Sequence, residues 1–145
     1  MDGPYALKAG EGWVYRFGID LTVKIDLTVK TGELDGGPRL AMFEFATRAG
    51  EEPPDHTHAT EDEIFYVLKG ALTFRCGDHT FEAENGGFVF LPRGIEHGYT
   101  IRGDGEARLL VVTAPAQEGA GGWGGFVGRF QAAGDPHTSP PGYAG

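Results

Sequence analysis

Short runs in which apolar and polar residues alternate recur along the chain, separated by glycine, proline and acidic turn formers. RLAMFEFAT (39–47), EIFYVLKG (63–70), ALTFRC (71–76), HTFEAE (79–84), GFVFLP (87–92), GYTI (98–101) and ARLLVVTA (107–114) are rich in β-branched and aromatic residues and read as strands. CGDH (76–79) has the make-up of a tight hairpin turn, and RGDGEA (102–107) that of a second turn. Many short strands with turns at near-regular spacing predict an all-β sandwich or barrel, not alternating βαβ units.

Two stretches stand apart. GIDLTVKIDLTVKTG (18–32) contains IDLTVK twice in tandem, which puts Ile19, Leu21, Val23, Ile25, Leu27 and Val29 on one face of a strand. The repeat exceeds the usual strand of about 3–10 residues, so a bend or break is expected inside a long edge or dimer-forming strand. After Pro115, Trp123, Phe126 and Phe130 are spaced three and four apart, as on one face of a short helix. The glycines around them leave that helix dependent on packing against the domain. Residues 1–134 read as a single domain, and 135–145 as a flexible tail.

Composition narrows the picture. A chain of 145 residues can bury one core, and 25 glycines and 9 prolines suit a turn-rich β fold. A net charge of −9, with lysine and arginine scattered, argues against a nucleic-acid or anionic-membrane partner. Cys76 is the sole cysteine, so no internal disulfide forms and a packed strand residue in a reducing compartment is expected. The first residues lack the basic start and apolar core of a signal peptide, and no apolar run approaches the ~20 residues that span a bilayer. A soluble, cytoplasmic protein is the expectation.

The chemistry gathers at the strand ends. His56 and His58 flank Thr57; in an extended segment both project from one face, and Glu63 follows at the start of the next strand. Two imidazoles and a carboxylate make a partial shell for zinc, iron, manganese, nickel or cobalt. His97 follows the turn signal PRG (92–94) and opens a strand with Tyr99 and Ile101 on its own face. Ligand sites on β scaffolds collect at such barrel mouths. His79 and His137, in a turn and the tail, read as solvated. Glu51, Glu52, Asp55, Glu61 and Asp62 read as a solvated acidic rim that favours cation entry, with Glu61 able to compete with Glu63 for the ion.

These residues resemble the two motifs of the cupin superfamily. Gly50, His56, His58, Glu63 and Gly70 match G-x5-HxH-x4-E-x6-G, and Gly86, Pro92, Gly94 and His97 match G-x5-PxG-x2-H-x3-N. Ile101 is the one departure, at a position where the family often has an asparagine that is not a metal ligand. The resemblance runs over about residues 39–114 and is to the small single-domain cupins of actinomycetes. These include quercetin-dioxygenase-like enzymes and metal-dependent cyclases of aromatic polyketides. It implies a double-stranded β-helix, or jelly-roll barrel, with a short C-terminal helical or irregular segment. It further implies a homodimer, with His56, His58, Glu63 and His97 converging on one divalent metal ion. Zinc comes first; iron, nickel, manganese or copper are the alternatives.

Strand parity suggests what enters. Phe65 and Val67 share the face of Glu63, and Tyr99 and Ile101 that of His97. The strand over 39–47 offers either Met42 or Phe43 and Phe45, and Trp123 and Phe126 could lie over the mouth. Such a lining suits a flat polycyclic or phenolic ligand. Together with the resemblance to actinomycete cupins, which implies it, this makes a polyketide cyclase the expected function, in which the metal polarises a carbonyl for intramolecular aldol ring closure. Confinement selects the ring, and Tyr99 serves as an auxiliary hydrogen-bonding catalytic group. A quercetin-type dioxygenase using the same cage and a non-catalytic small-molecule-binding cupin are the alternatives.

Overall fold

The computed structural model describes residues 41–114 continuously, together with residues 6, 8–10 and the backbone of 13–18 and 24–29. Nine strands form within these residues: β1 (Trp13–Gly18), β2 (Lys24–Val29), β3 (Ala41–Thr47), β4 (Asp62–Lys69), β5 (Ala71–Cys76), β6 (His79–Glu84), β7 (Phe88–Leu91), β8 (His97–Ile101) and β9 (Ala107–Ala114). They build two antiparallel sheets, one in the order β1-β2-β3-β9-β4-β7 and the other β6-β5-β8. The described residues are all-β, as a jelly-roll barrel requires, and contain no helix long and apolar enough to cross a membrane.

Period-two alternation fixes what each strand buries. On β4, Glu63, Phe65 and Val67 point inward and Tyr66 and Leu68 outward; on β9, Ala107, Leu109, Val111 and Thr113 point inward. The ladder registers sort these inward residues into layers. Glu63 lies opposite both Leu91 and Thr113, and His97 opposite Cys76, which makes a first layer at one end of the barrel. Phe65, Val111 and Phe43 are aligned one step deeper, as are Tyr99 and Phe74 in the other sheet. Here the rings of Phe65, Phe74 and Tyr99 meet across the two sheets with centroids 5.2–5.7 Å apart. Full burial of each such ring stabilises the fold by about 1.5–3 kcal/mol. A third layer holds Val67, Leu109 and Phe45 in one sheet and Ile101 and Leu72 in the other.

The turn from β4 to β5 needs glycine. Gly70 takes φ 110°, and a Cβ there would come within 2.9 Å of the Ala107 Cβ on β9. β1 and β2 pair antiparallel with Gly18 opposite Lys24, and among the described residues of the alternating run 24–29 form β2. Residues 19–23, in the stretch where a bend or break was expected, lie outside the described residues. β1 itself was not anticipated, because WVYRFG is too short a run to stand out beside the repeat. The expected C-terminal helix and tail, with Trp123, Phe126 and His137, also lie outside the described residues.

Candidate metal centre

Two loops and two strand starts bring the four residues of the sequence motifs together. Backbone hydrogen bonds join the loop that carries His56 to the start of β8: His56 N–H donates to His97 O at 2.9 Å, and His97 N–H to His56 O at 2.8 Å. Gly94 N–H donates to His58 O at 2.8 Å, which fastens the PRG turn to the same loop. Thr57 between the histidines is exposed while His58 is buried, as an extended segment demands. The three imidazole centroids lie 4.7–5.3 Å from one another. Glu63 Oε1 sits 3.1 Å from His97 Nε2 and 3.9 Å from His58 Nε2.

The donor set fits a cation. His56 Nδ1 lies 2.8 Å from Pro54 O, and His97 Nδ1 3.3 Å from Ile95 O. A ring nitrogen beside a carbonyl carries the proton, so the tautomer assigned here leaves Nε2 of both rings as lone-pair donors toward the centre. His97 Nε2 is buried without a hydrogen bond, because its 3.1 Å contact with Glu63 lacks hydrogen-bond geometry. One ligand atom from each of His56, His58, Glu63 and His97 lies within 4.8 Å of the others. Ligands at ~2.1 Å from an ion sit at most ~4.2 Å apart, so the widest pair needs only a small closure. His58, Glu63 and His97 are 2–3% exposed, a setting in which the carboxylate charge of Glu63 is costly without a compensating cation. The cluster could therefore hold a metal ion.

Its surroundings are ordered by charge. Asp55, next to His56, takes a fork from Arg75: Nη2 donates to Oδ1 at 2.8 Å and Nε to Oδ2 at 3.3 Å. That pairing holds the Asp55 carboxyl below its usual value. Tyr99 is 5% exposed, and burial, reinforced by the charges of Glu63, Glu52 and Glu51, pushes its phenol well above the usual 10. It is a hydrogen-bond donor at neutral pH, not a base.

The expected pocket residues separate by depth. Of the two faces offered on β3, Phe43 and Phe45 are buried on the inner one, and Met42 between them is half-buried on the other. Phe65, Phe43 and Tyr99 form the layer just below the cluster. Val67, Phe45 and Ile101 belong to the third layer of packed core, because parity reports the face of a residue but not its depth. The solvated rim is corrected as well. Glu61 is 3% exposed and leaves the rim, whereas Glu51, Glu52, Asp55 and Asp62 keep part of their surface in solvent and accept hydrogen bonds from Arg48, Ile101, Arg75 and Arg93. Thr113, 0% exposed and beside Glu63 in the ladder, was missed. The signal was present as the one polar residue in the alternation Ala107, Leu109, Val111, Thr113.

The described residues form a β-barrel that gathers three histidines and a glutamate at one end, a set that could hold a metal ion. Residues 43–113 match the cupin domain family, and the chain belongs to the cupin superfamily. It is 29% identical over 87 residues to polyketide synthase CurC of Streptomyces cyaneus, covering 60% of this chain and 54% of that protein. It is 29% identical over 66 residues to tetracenomycin polyketide synthase protein TcmJ of Streptomyces glaucescens, covering 46% and 44%. These matches span about half the length of each relative. A crystal structure from Thermotoga maritima, titled a predicted oxalate decarboxylase, aligns with TM-score 0.66 over 77% of this chain and 99% of that one. At 17% identity that likeness shows the fold alone.

Proposed function

We propose that this chain is a metal-dependent cyclase of aromatic polyketide biosynthesis, working on a flexible poly-β-ketone in the cytoplasm as a homodimer. The observation that carries the reading is the buried His56–His58–Glu63–His97 cluster, in a chain similar to two proteins named for polyketide synthesis. A divalent ion there, zinc in this reading, would supply Lewis-acid polarisation of a ketone oxygen. The residues of the chain do the rest. His56 and His97 keep Nε2 aimed at the centre because their Nδ1 atoms are held by Pro54 O and Ile95 O. Glu63 offsets part of the cation's charge. Phe43 and Phe65 wall the floor below the cluster and exclude water, which strengthens every charge interaction above them. Tyr99, held protonated, donates a hydrogen bond from the layer beneath. Confinement brings one methylene carbon against one carbonyl, so that a single ring closes among those the chain could form.

Elemental analysis of tag-free protein, paired with turnover of a poly-β-ketone with and without oxygen, tests this. The expected result is about one zinc per chain and cyclisation that persists anaerobically. His97→Ala should fold but lose more than about 100-fold in metal affinity, and lose turnover with it. Iron, nickel, manganese or copper with turnover that stops without oxygen would replace the reading with a flavonol-type dioxygenase. Stoichiometric binding of a ketone with no turnover would leave a binding protein.

A further inference from the structure

Thr113 is an anomaly in the barrel's first layer. It is 0% exposed, its Oγ1 has no hydrogen-bond partner, and it ends an inward row whose other members are Ala107, Leu109 and Val111. Valine has the same shape and the same strand preference and would leave no orphaned hydroxyl, so burial alone argues for valine here. The ladder places Thr113 directly opposite Glu63, both side chains on the inner face, where facing Cβ atoms lie ~5 Å apart. Glu63 is 2% exposed, and its described contacts are to His58 and His97, with Oε1 nearest to both. A carboxylate this deeply buried needs a donor for its second oxygen.

We infer that Thr113 is the positioning residue of the metal centre, its hydroxyl donating to the Glu63 carboxylate once His58 and His97 turn their Nε2 atoms to a cation. This rests on the metal reading above and extends it to a residue outside the four ligands. A hydroxyl fixed on the neighbouring strand would hold the carboxylate in the orientation that the ion needs. In return, the buried Thr113 hydroxyl gains a partner.

Zinc affinity, measured by competition with a chromophoric chelator on wild type, Thr113→Val and Thr113→Ser, tests the assignment, together with the melting temperature of each metal-free protein. Thr113→Val should bind zinc about 10–100-fold more weakly, the range for loss of a partner that orients a ligand. Its metal-free form should melt about 3 °C higher, since the buried orphan is gone. Thr113→Ser keeps the hydroxyl and should stay within about threefold of wild type. Wild-type affinity in Thr113→Val would overturn the assignment while leaving the metal reading intact. Equal weakening in Thr113→Ser would assign the effect to the lost methyl packing and overturn it too. Absence of zinc binding by the wild type would overturn the metal reading and this inference with it.

Discussion

Gly98 follows His97, a member of the candidate metal cluster, on β8, and it lacks a side chain for a steric reason. Asp55 lies over it, held by the Arg75 fork, and a Cβ at position 98 would overlap Asp55 Oδ1. The same Arg75 reaches across to Thr100, with Nη1 donating to Oγ1 at 2.7 Å. Asp55, Arg75 and Thr100 thus clamp the His56 loop onto the strand that carries His97. Gly98→Ala should destabilise the fold by about 1–3 kcal/mol, as overpacking does. Asp55→Ala alone should cost about 1 kcal/mol or less, because the ion pair is more than a third exposed on both sides. The double variant Gly98→Ala/Asp55→Ala should recover most of the loss, since the added methyl then meets only the far end of Arg75, whose Nη2 lies 3.1 Å away on a side chain free of its Asp55 pairing. Urea denaturation of the three variants reads this directly, and additive losses would show that the methyl clashes elsewhere.

Loops, more than strands, separate what could be read from the chain from what needed the fold. β3 to β9 fall within a residue or two of the alternating runs, because period-two burial is written locally in each strand. The four cluster residues were legible for a related reason: each sits at a fixed offset from a turn. Partners distant in the chain were not. Glu52 looked like a solvated acid, yet its Oε1 accepts from Gly50 N–H at 2.6 Å and its Oε2 from Ile101 N–H at 3.0 Å. That second bond ties the loop after β3 to the end of β8 across a separation no local pattern records. Burial raises the Glu52 carboxyl, but the N–H groups of Ile101, Glu52 and Gly50 and the charge of Arg75 outweigh it, and the carboxyl stays below its usual 4.5. A carboxyl lowered in the folded state adds stability above the unfolded value and loses it as pH falls through the folded one. Glu52→Gln should therefore cost about 1 kcal/mol at pH 7, after allowance for solvent screening, and this difference should shrink progressively below pH ~4.5. Parallel denaturation curves for wild type and variant from pH 7 to 3 would show it. A gap that stays constant with pH would place the effect in packing.

The outer face of the six-stranded sheet carries an apolar strip that the barrel does not need for its own core. Ile64 pairs with Phe90 and Tyr66 with Phe88 across β4 and β7, and Tyr66, Leu68, Phe88 and Phe90 are 42%, 40%, 60% and 49% exposed. β7 ends the strand order of that sheet, so the strip runs along an edge. Alternation on an outward face normally gives polar residues, and an apolar row there marks a contact surface. A two-fold homodimer suits it, because an uncharged strip is complementary to itself whereas two chains of net charge −9 repel elsewhere. Light scattering should give about 31 kDa for wild type, twice the chain's 15.5 kDa, with tighter association as added salt screens that repulsion. Phe88→Glu/Phe90→Glu should bring the mass to that of one chain while leaving the melting transition cooperative, because both side chains point away from the core. A dimer that survives the double substitution would move the interface to another face, the β1–β2 pair being the next candidate. A wild type at the mass of one chain would remove the homodimer from the proposed function without touching the candidate metal centre, whose four residues all come from a single chain.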